Sequence, residues 1–81
     1  MRDIVFRDAD GRPIHDAIVA VAGAPAEVAD IGMMTDVDGR ISLPVDVPGI
    51  YEFSVFHAGR ARLVSARLDA GTQPISLIVP D

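Results

Sequence analysis

The stretch MTDVDGRISLPVDVPGIYEFSVFHAG, residues 34–59, decides the fold class because two of its segments alternate between apolar and polar side chains. One segment is ISL at 41–43, and the other is IYEFSVFH at 50–57. Side chains two residues apart in a strand point to the same face of a sheet, so each segment predicts a strand with one buried face. The apolar positions of these predicted buried faces are Ile41, Leu43, Tyr51, Phe53 and Val55.

Turn signals divide the rest of the chain at short, regular intervals. Clusters of Gly, Pro and Asp lie at residues 8–13, 23–27, 36–39, 45–49, 58–60 and 69–74. Between them lie seven candidate strands, near residues 2–7, 15–22, 30–35, 40–44, 50–57, 61–68 and 74–79. No long segment has the 3.6-residue apolar period of a helix. Seven short strands at this spacing predict an all-β sandwich, with Val19, Val21, Ile75, Leu77 and Val79 also in its core.

The composition limits the classes of partner. The chain has 81 residues, no cysteine, and a net charge of −5 from ten Asp, two Glu and seven Arg. Nucleic acids and anionic membranes require a basic patch, so neither nucleic-acid binding nor membrane insertion is expected. The N-terminal MRDIVFRDADG lacks the apolar stretch of a signal peptide. This predicts a cytoplasmic protein, or else a domain excised from a longer chain that could be secreted.

The DVDG run at residues 36–39 raises the question of a calcium loop. An EF-hand loop needs oxygen ligands at positions 1, 3 and 5, Gly at position 6 and Glu at position 12. With Gly39 at position 6, Met34 falls at position 1 and Val45 at position 12, and neither side chain has an oxygen. The DADG run at 8–11 fails in the same way. Both runs are therefore predicted to be hairpin turns, and calcium binding is not expected. The alternative is a weak calcium site on Asp36 and Asp38, or on Asp8 and Asp10.

Four apolar side chains do not fit the predicted inward sets, namely Val5, Ile18, Phe56 and Ile78. One interpretation is scattered surface apolarity or burial at the rim of the sandwich. The other is a surface that contacts a partner, for example a second copy of the chain. On the second interpretation, Val5, Phe56 and Ile78 are the predicted interaction residues.

Two segments together resemble a known family, namely GRPIHDAIVAVAG at residues 11–23 and the stretch 34–59. They are similar to carboxypeptidase regulatory-like domains, the transthyretin-like or prealbumin-like sandwich. That family typically has a Gly-x-Pro-Ile element before alternating valines, a Thr-Asp-x-x-Gly turn before an apolar strand, and a Gly-x-Tyr-x-apolar-x-Val strand. The matching residues are Gly11, Pro13, Ile14, Ala17, Val19, Val21, Thr35, Asp36, Gly39, Ile41, Leu43, Gly49, Tyr51, Phe53 and Val55.

The resemblance covers roughly residues 4–79 and departs from the family at His15 and Asp16, where a small or turn residue is common. It implies a seven-stranded antiparallel Greek-key β-sandwich of the prealbumin-like type, forming one domain over residues 1–81. Domains of this family are usually non-catalytic accessory, folding or interaction modules.

Enzymes of related fold do not match the residues that carry chemistry. Transthyretin-related hydrolases, which open 5-hydroxyisourate, have several His and Arg residues and a C-terminal Tyr-Arg-Gly-Ser signature. This chain ends in SLIVPD and has only His15 and His57. Intradiol dioxygenases hold iron with two Tyr and two His, whereas Tyr51 is the sole tyrosine. A serine triad on His57 lacks the Gly-x-Ser-x-Gly elbow, and two histidines bind a transition metal only with further ligands.

The sequence therefore predicts a non-enzymatic protein with no catalytic residue, metal or cofactor. Its expected role is that of an accessory or protein–protein interaction module, with either a protein partner or self-association. One alternative is a small-ligand or carbohydrate-binding module, which the absence of Trp and the single Tyr disfavour. The other alternative is a transthyretin-related hydrolase.

Overall fold

The computed structural model describes residues 2–25, 32–45, 47–69, 71 and 73–80. The strands are β1 (Arg2–Arg7), β2 (Ile18–Gly23), β3 (Met33–Met34), β4 (Arg40–Leu43), β5 (Gly49–His57), β6 (Arg60–Leu68) and β7 (Ile75–Ile78). Each strand overlaps one of the seven candidate segments between the turn signals, and the predicted start of the third strand at 30–31 lies outside the described residues. Within the described ranges there is no helix long and apolar enough to span a bilayer.

The strands form two sheets, one with the order β4-β1-β7 and one with the order β3-β2-β5-β6. Every neighbouring pair is antiparallel except β1 and β7, which run parallel. The expectation of a wholly antiparallel sandwich is therefore wrong at this pair. Only a tight hairpin forces two strands to be antiparallel, and β1 and β7 are separated by five intervening strands.

The core lies between the two sheets and is built from the side chains that alternation places inward. Phe6 of β1 and Phe53 of β5 are completely buried, and their rings meet edge to face with centroids 5.7 Å apart and planes at 82°. This aromatic pair joins one sheet to the other. The remaining buried strand residues of the core are Ile4, Val19, Ile41, Leu43, Tyr51, Val55, Val64 and Leu68. Val79 is also buried, whereas Val21, Ile75 and Leu77 are only partly buried against the core.

The two Asp-x-Asp-Gly-Arg runs form the same turn. In each, Oδ1 of the first Asp accepts hydrogen bonds at 2.9 Å from the backbone N–H groups two and four residues further on. Gly11 and Gly39 take φ angles of +83° and +76°. The prediction of turns is confirmed. The strands on either side of each turn lie in different sheets, so neither turn joins two of the seven strands as a hairpin. At the first turn, however, Arg7 pairs antiparallel with Pro13 and the Ile14 N–H donates to the Phe6 carbonyl, so the chain folds back on itself locally as in a hairpin.

The tightest connection joins β5 to β6 through Ala58 and Gly59, which have φ angles of +53° and +76°. Two positive φ angles in a two-residue loop are typical of a type I′ hairpin turn. The turn fixes the register of the two longest strands, from His57 opposite Arg60 to Gly49 opposite Leu68. Because β6 lies at the edge of its sheet, this register also determines which side chains extend the outer face.

Candidate interaction surface

Exposed apolar side chains form a row across the outer face of the four-stranded sheet. Met34 of β3 pairs with Ile18 of β2, Ile18 pairs with Phe56 of β5, and Phe56 pairs with Ala61 of β6. Paired residues point to the same face, so these four side chains lie side by side over all four strands. Met34, Ile18 and Phe56 are 63%, 47% and 48% exposed. We call these four residues the apolar row.

The next row along the strands extends the same surface with small or apolar side chains. It consists of Ala20, Ser54 and Leu63, which are paired across β2, β5 and β6. Leu63 is exposed to 61%. The first charged residues of this face in the described parts of the chain are Glu52 and Arg67, both further from the row. In the described parts of the chain, about half of this outer face therefore has no charged side chain.

The outer face of the three-stranded sheet has the opposite character. Its residues include Asp3, Arg40 and Ser42, and they contact one another across β1 and β4. The Ser42 hydroxyl donates a 2.6 Å hydrogen bond to Asp3 Oδ1, and an Arg40 nitrogen lies 3.7 Å from Asp3 Oδ2. Polar side chains of this kind interact favourably with water. The contiguous row of exposed apolar side chains thus lies on the four-stranded sheet, whereas on the other outer face the exposed Ile78 lies beside Arg7.

The three predicted interaction residues do not form one surface. Phe56 belongs to the apolar row, whereas Val5 and Ile78 lie on the outer face of the other sheet. Val5 is on the middle strand between Arg40 and Ser76 and is only 6% exposed, so it offers little area to a partner. Ile78 is 52% exposed but lies next to Arg7 in the strand register.

Sequence reasoning did not identify the other two large apolar side chains of these rows, Met34 and Leu63. Leu63 had a usable signal, because it has the parity opposite to Val64 and Leu68, both of which are buried. Met34 had none, because β3 is only two residues long and its alternation cannot be recognised. The row also depends on strand order, which brings together residues that are far apart in sequence.

Among the described residues, the neighbours of the two histidines do not form an arrangement typical of an active site. His15 Nδ1 lies 3.2 Å from Asp16 Oδ2, with both side chains mostly exposed. His57 ends β5 opposite Arg60, beside the hairpin turn. Within the described ranges, no three residues of the types His, Cys, Asp and Glu are grouped so that they could hold a metal ion. The first Asp of each Asp-x-Asp-Gly turn uses its Oδ1 to hold the backbone.

A polar cleft lies at the far end of the sandwich, where Arg2 and Asp69 meet. It has a volume of about 370 Å³ and is lined by Arg2, Asp69, Gly71 and Gln73. The Arg2 side chain is nine-tenths buried, and one of its guanidinium nitrogens lies 3.2 Å from Asp69 Oδ1. An anion entering here would meet the Asp69 carboxylate beside the Arg2 cation. The cleft is therefore a poor anion site, and the apolar row is the stronger candidate for function.

The burial of most Phe and Tyr side chains bears on whether the protein could bind carbohydrate. Three of the four, Phe6, Tyr51 and Phe53, are buried, and Tyr51 also donates a 2.7 Å hydrogen bond from its hydroxyl to the carbonyl of Val47. Only Phe56 presents a ring at the surface. Sugar-binding faces normally combine exposed aromatic rings with polar side chains, and the apolar row has no such polar partners.

Comparisons with known proteins leave the family of this chain open. The sequence matches no protein-family model and has no significant similarity to a curated protein. The geometry of the two outer faces therefore provides the basis for a functional proposal.

Proposed function

We propose that this protein is a non-enzymatic interaction module that binds a protein partner through the outer face of its four-stranded sheet. The observation that carries the proposal is the apolar row of Met34, Ile18, Phe56 and Ala61, extended by Leu63. Soluble proteins seldom keep a contiguous apolar patch exposed unless it binds something. Each half-exposed side chain in the row would gain free energy by burial, at about 25 cal/mol per Å² of apolar surface.

We propose further that the fold is a prealbumin-like Greek-key sandwich of the carboxypeptidase regulatory-like type. Two features support this assignment. The chain changes sheets four times, between β1 and β2, β3 and β4, β4 and β5, and β6 and β7. The first strand lies in the middle of its sheet, between β4 and β7. In this assignment the protein acts as an accessory domain, without metal, cofactor or catalytic residues.

Site-specific photo-crosslinking tests the proposed face directly. A benzophenone amino acid would replace Phe56 in one variant and Ile78 in another, because the two side chains are similarly exposed but lie on different sheets. Irradiation in cells that express the protein should give a protein adduct from position 56 and little or none from position 78. Equal adducts at both positions, or none at either, would contradict the proposal.

A further inference from the structure

We infer that the protein bound by the apolar row is a second copy of this chain, packed sheet against sheet. The inference rests on the proposed function and names the partner. It depends on three properties of the face: the symmetry of the row, its charge and its area.

The symmetry of the row makes the face complementary to itself. In a two-fold symmetric dimer, the same patch of both copies forms the interface. β2 and β5 are the two middle strands of the sheet. A two-fold axis can therefore lie between the two copies, parallel to the strands and directly above the gap between β2 and β5. Rotation about that axis places Phe56 over Ile18 of the second copy and Met34 over Ala61 of the second copy. The row then covers itself completely, with the largest aliphatic chain above the smallest.

The charge of the face permits a second copy as the occupant, although the chain as a whole is strongly acidic. Each copy has a net charge of −5, so two copies repel each other over most orientations. The apolar row and the row of Ala20, Ser54 and Leu63 have no charged residue. Further along the face, Glu52 and Arg67 have opposite signs. Two acidic chains can therefore approach through this face without placing carboxylates against each other.

The area of the face suits a small dimer. β5 and β6 are each nine residues long, so at about 3.3 Å per residue the outer face is about 30 Å long, and four strands about 4.8 Å apart make it about 19 Å wide. A stable interface buries about 800 Å² of accessible surface on each partner, which requires most of such a face. A second copy has a face of the same dimensions. The small side chains of Ala20, Ser54 and Ala61 also allow two sheets to approach to the roughly 10 Å at which sheets pack.

Sedimentation equilibrium of the purified chain over a wide range of concentration tests the inference. The expected result is a concentration-dependent rise from 8.6 kDa to about twice that mass. Phe56→Glu should raise the dissociation constant of the dimer more than ten-fold, because it places a charge within the interface. Ile78→Glu is the matched control, since it adds the same charge at a similarly exposed apolar position of the other sheet, and it should leave the dissociation constant within two-fold of the original.

A complementary pair of variants tests the arrangement itself. Ile18→Arg and Phe56→Glu should each be mainly monomeric, and their mixture should form a mixed dimer, because Glu at 56 then faces Arg at 18 of the other copy. Met34→Glu should also weaken the dimer, and because Met34 is 63% exposed the substitution should affect folding little. Circular dichroism checks that each variant is folded.

Two results would overturn the inference: a monomer at every concentration, or a dimer that Ile78→Glu weakens as much as Phe56→Glu does. A monomer whose position 56 still crosslinks to a different protein in cells would overturn self-association and leave the proposed function standing. A monomer without any crosslink from position 56 would remove both.

Discussion

At the scale of single residues, Gly39 is a position where backbone atoms leave no room for a side chain. Its φ angle is +76°, and a Cβ added there would lie 2.5 Å from the carbonyl oxygen of Phe6 and 3.1 Å from the nitrogen of Ile14. Gly39 therefore allows the second Asp-x-Asp-Gly turn to pack against the backbone of β1 and of the first turn. The equivalent glycine of the first turn, Gly11, has a similar φ of +83° but open space around it.

This contrast gives a prediction with an internal control. Gly11→Ala should cost roughly 1–2 kcal/mol of unfolding free energy, the price of a left-handed conformation for an L-residue. Gly39→Ala should cost a further 1–3 kcal/mol or so, because the backbone must move to relieve the contact with Phe6. Urea denaturation followed by circular dichroism measures both values. Equal losses would mean that the turn can shift away from β1 without cost.

Thr35 provides a second residue-scale prediction, because it is 2% exposed and its hydroxyl oxygen accepts a 2.9 Å hydrogen bond from the backbone N–H of Ala17. Thr35→Val keeps the shape but leaves this buried N–H unsatisfied, which should cost about 1–3 kcal/mol. Hydrogen exchange at the Ala17 amide should also become faster. Thr35→Ser retains the hydroxyl, so the amide should keep its protection in that variant. Loss of protection in both variants would show that the hydroxyl is not what protects the amide.

At the scale of secondary-structure elements, the β5–β6 hairpin has a turn of a type that suits paired strands, but its first residue, Ala58, is poorly suited to the backbone conformation of that turn. Ala58 has a φ of +53°, a conformation that asparagine and glycine adopt much more readily than alanine. Ala58→Asn should therefore stabilise the protein by up to about 1 kcal/mol, with the change visible as a higher urea midpoint at constant slope. The Ser76→Asn variant, at an exposed position of regular strand in the other sheet, is the control and should give no gain. A loss of stability in Ala58→Asn would show that the turn does not need a residue suited to positive φ.

The elements also show which parts of the fold are readable from sequence. Alternation correctly predicts the buried faces of β4 and β5, because parity is a local property of a strand. It predicts the start of β2 too early, at residue 15, because Asp16 has a φ of +58° and belongs to the connection between sheets. The parallel pairing of β1 with β7 has no local signal, since it joins the two ends of the chain.

At the scale of the whole molecule, the candidate surface is only partly predictable because the order and pairing of strands have no local signal in the sequence. Parity places Val5 and Phe56 on outer faces, but burial depends on what lies beside each strand. Val5 is on the middle strand of a narrow sheet and is covered by its neighbours, whereas Phe56 remains exposed next to Ile18 and Ala61. The apolar row appears only when four strands from distant parts of the sequence are set in order and register.

The salt dependence of dimerisation tests whether the strength of the dimer is set by repulsion between two acidic chains together with burial of the apolar row. Each chain has a net charge of −5, so repulsion between two copies opposes an interface that has no ion pairs at its centre. Salt shortens the Debye length from about 30 Å at 0.01 M to about 10 Å at 0.1 M and screens that repulsion. Raising sodium chloride from about 0.01 to 0.5 M should therefore strengthen the dimer several-fold.

An interface held by ion pairs between Glu52 and Arg67 of different copies would respond in the opposite direction, because salt weakens attraction between exposed charges. The sign of the salt effect in sedimentation equilibrium therefore separates the two kinds of interface without any mutation. Arg67→Gln provides the control, since it makes the net charge more negative, from −5 to −6. If repulsion is the opposing force, this variant should form a weaker dimer at low salt and one of nearly unchanged strength at high salt. If Glu52–Arg67 pairs hold the interface, the variant should weaken the dimer and remove most of its sensitivity to salt.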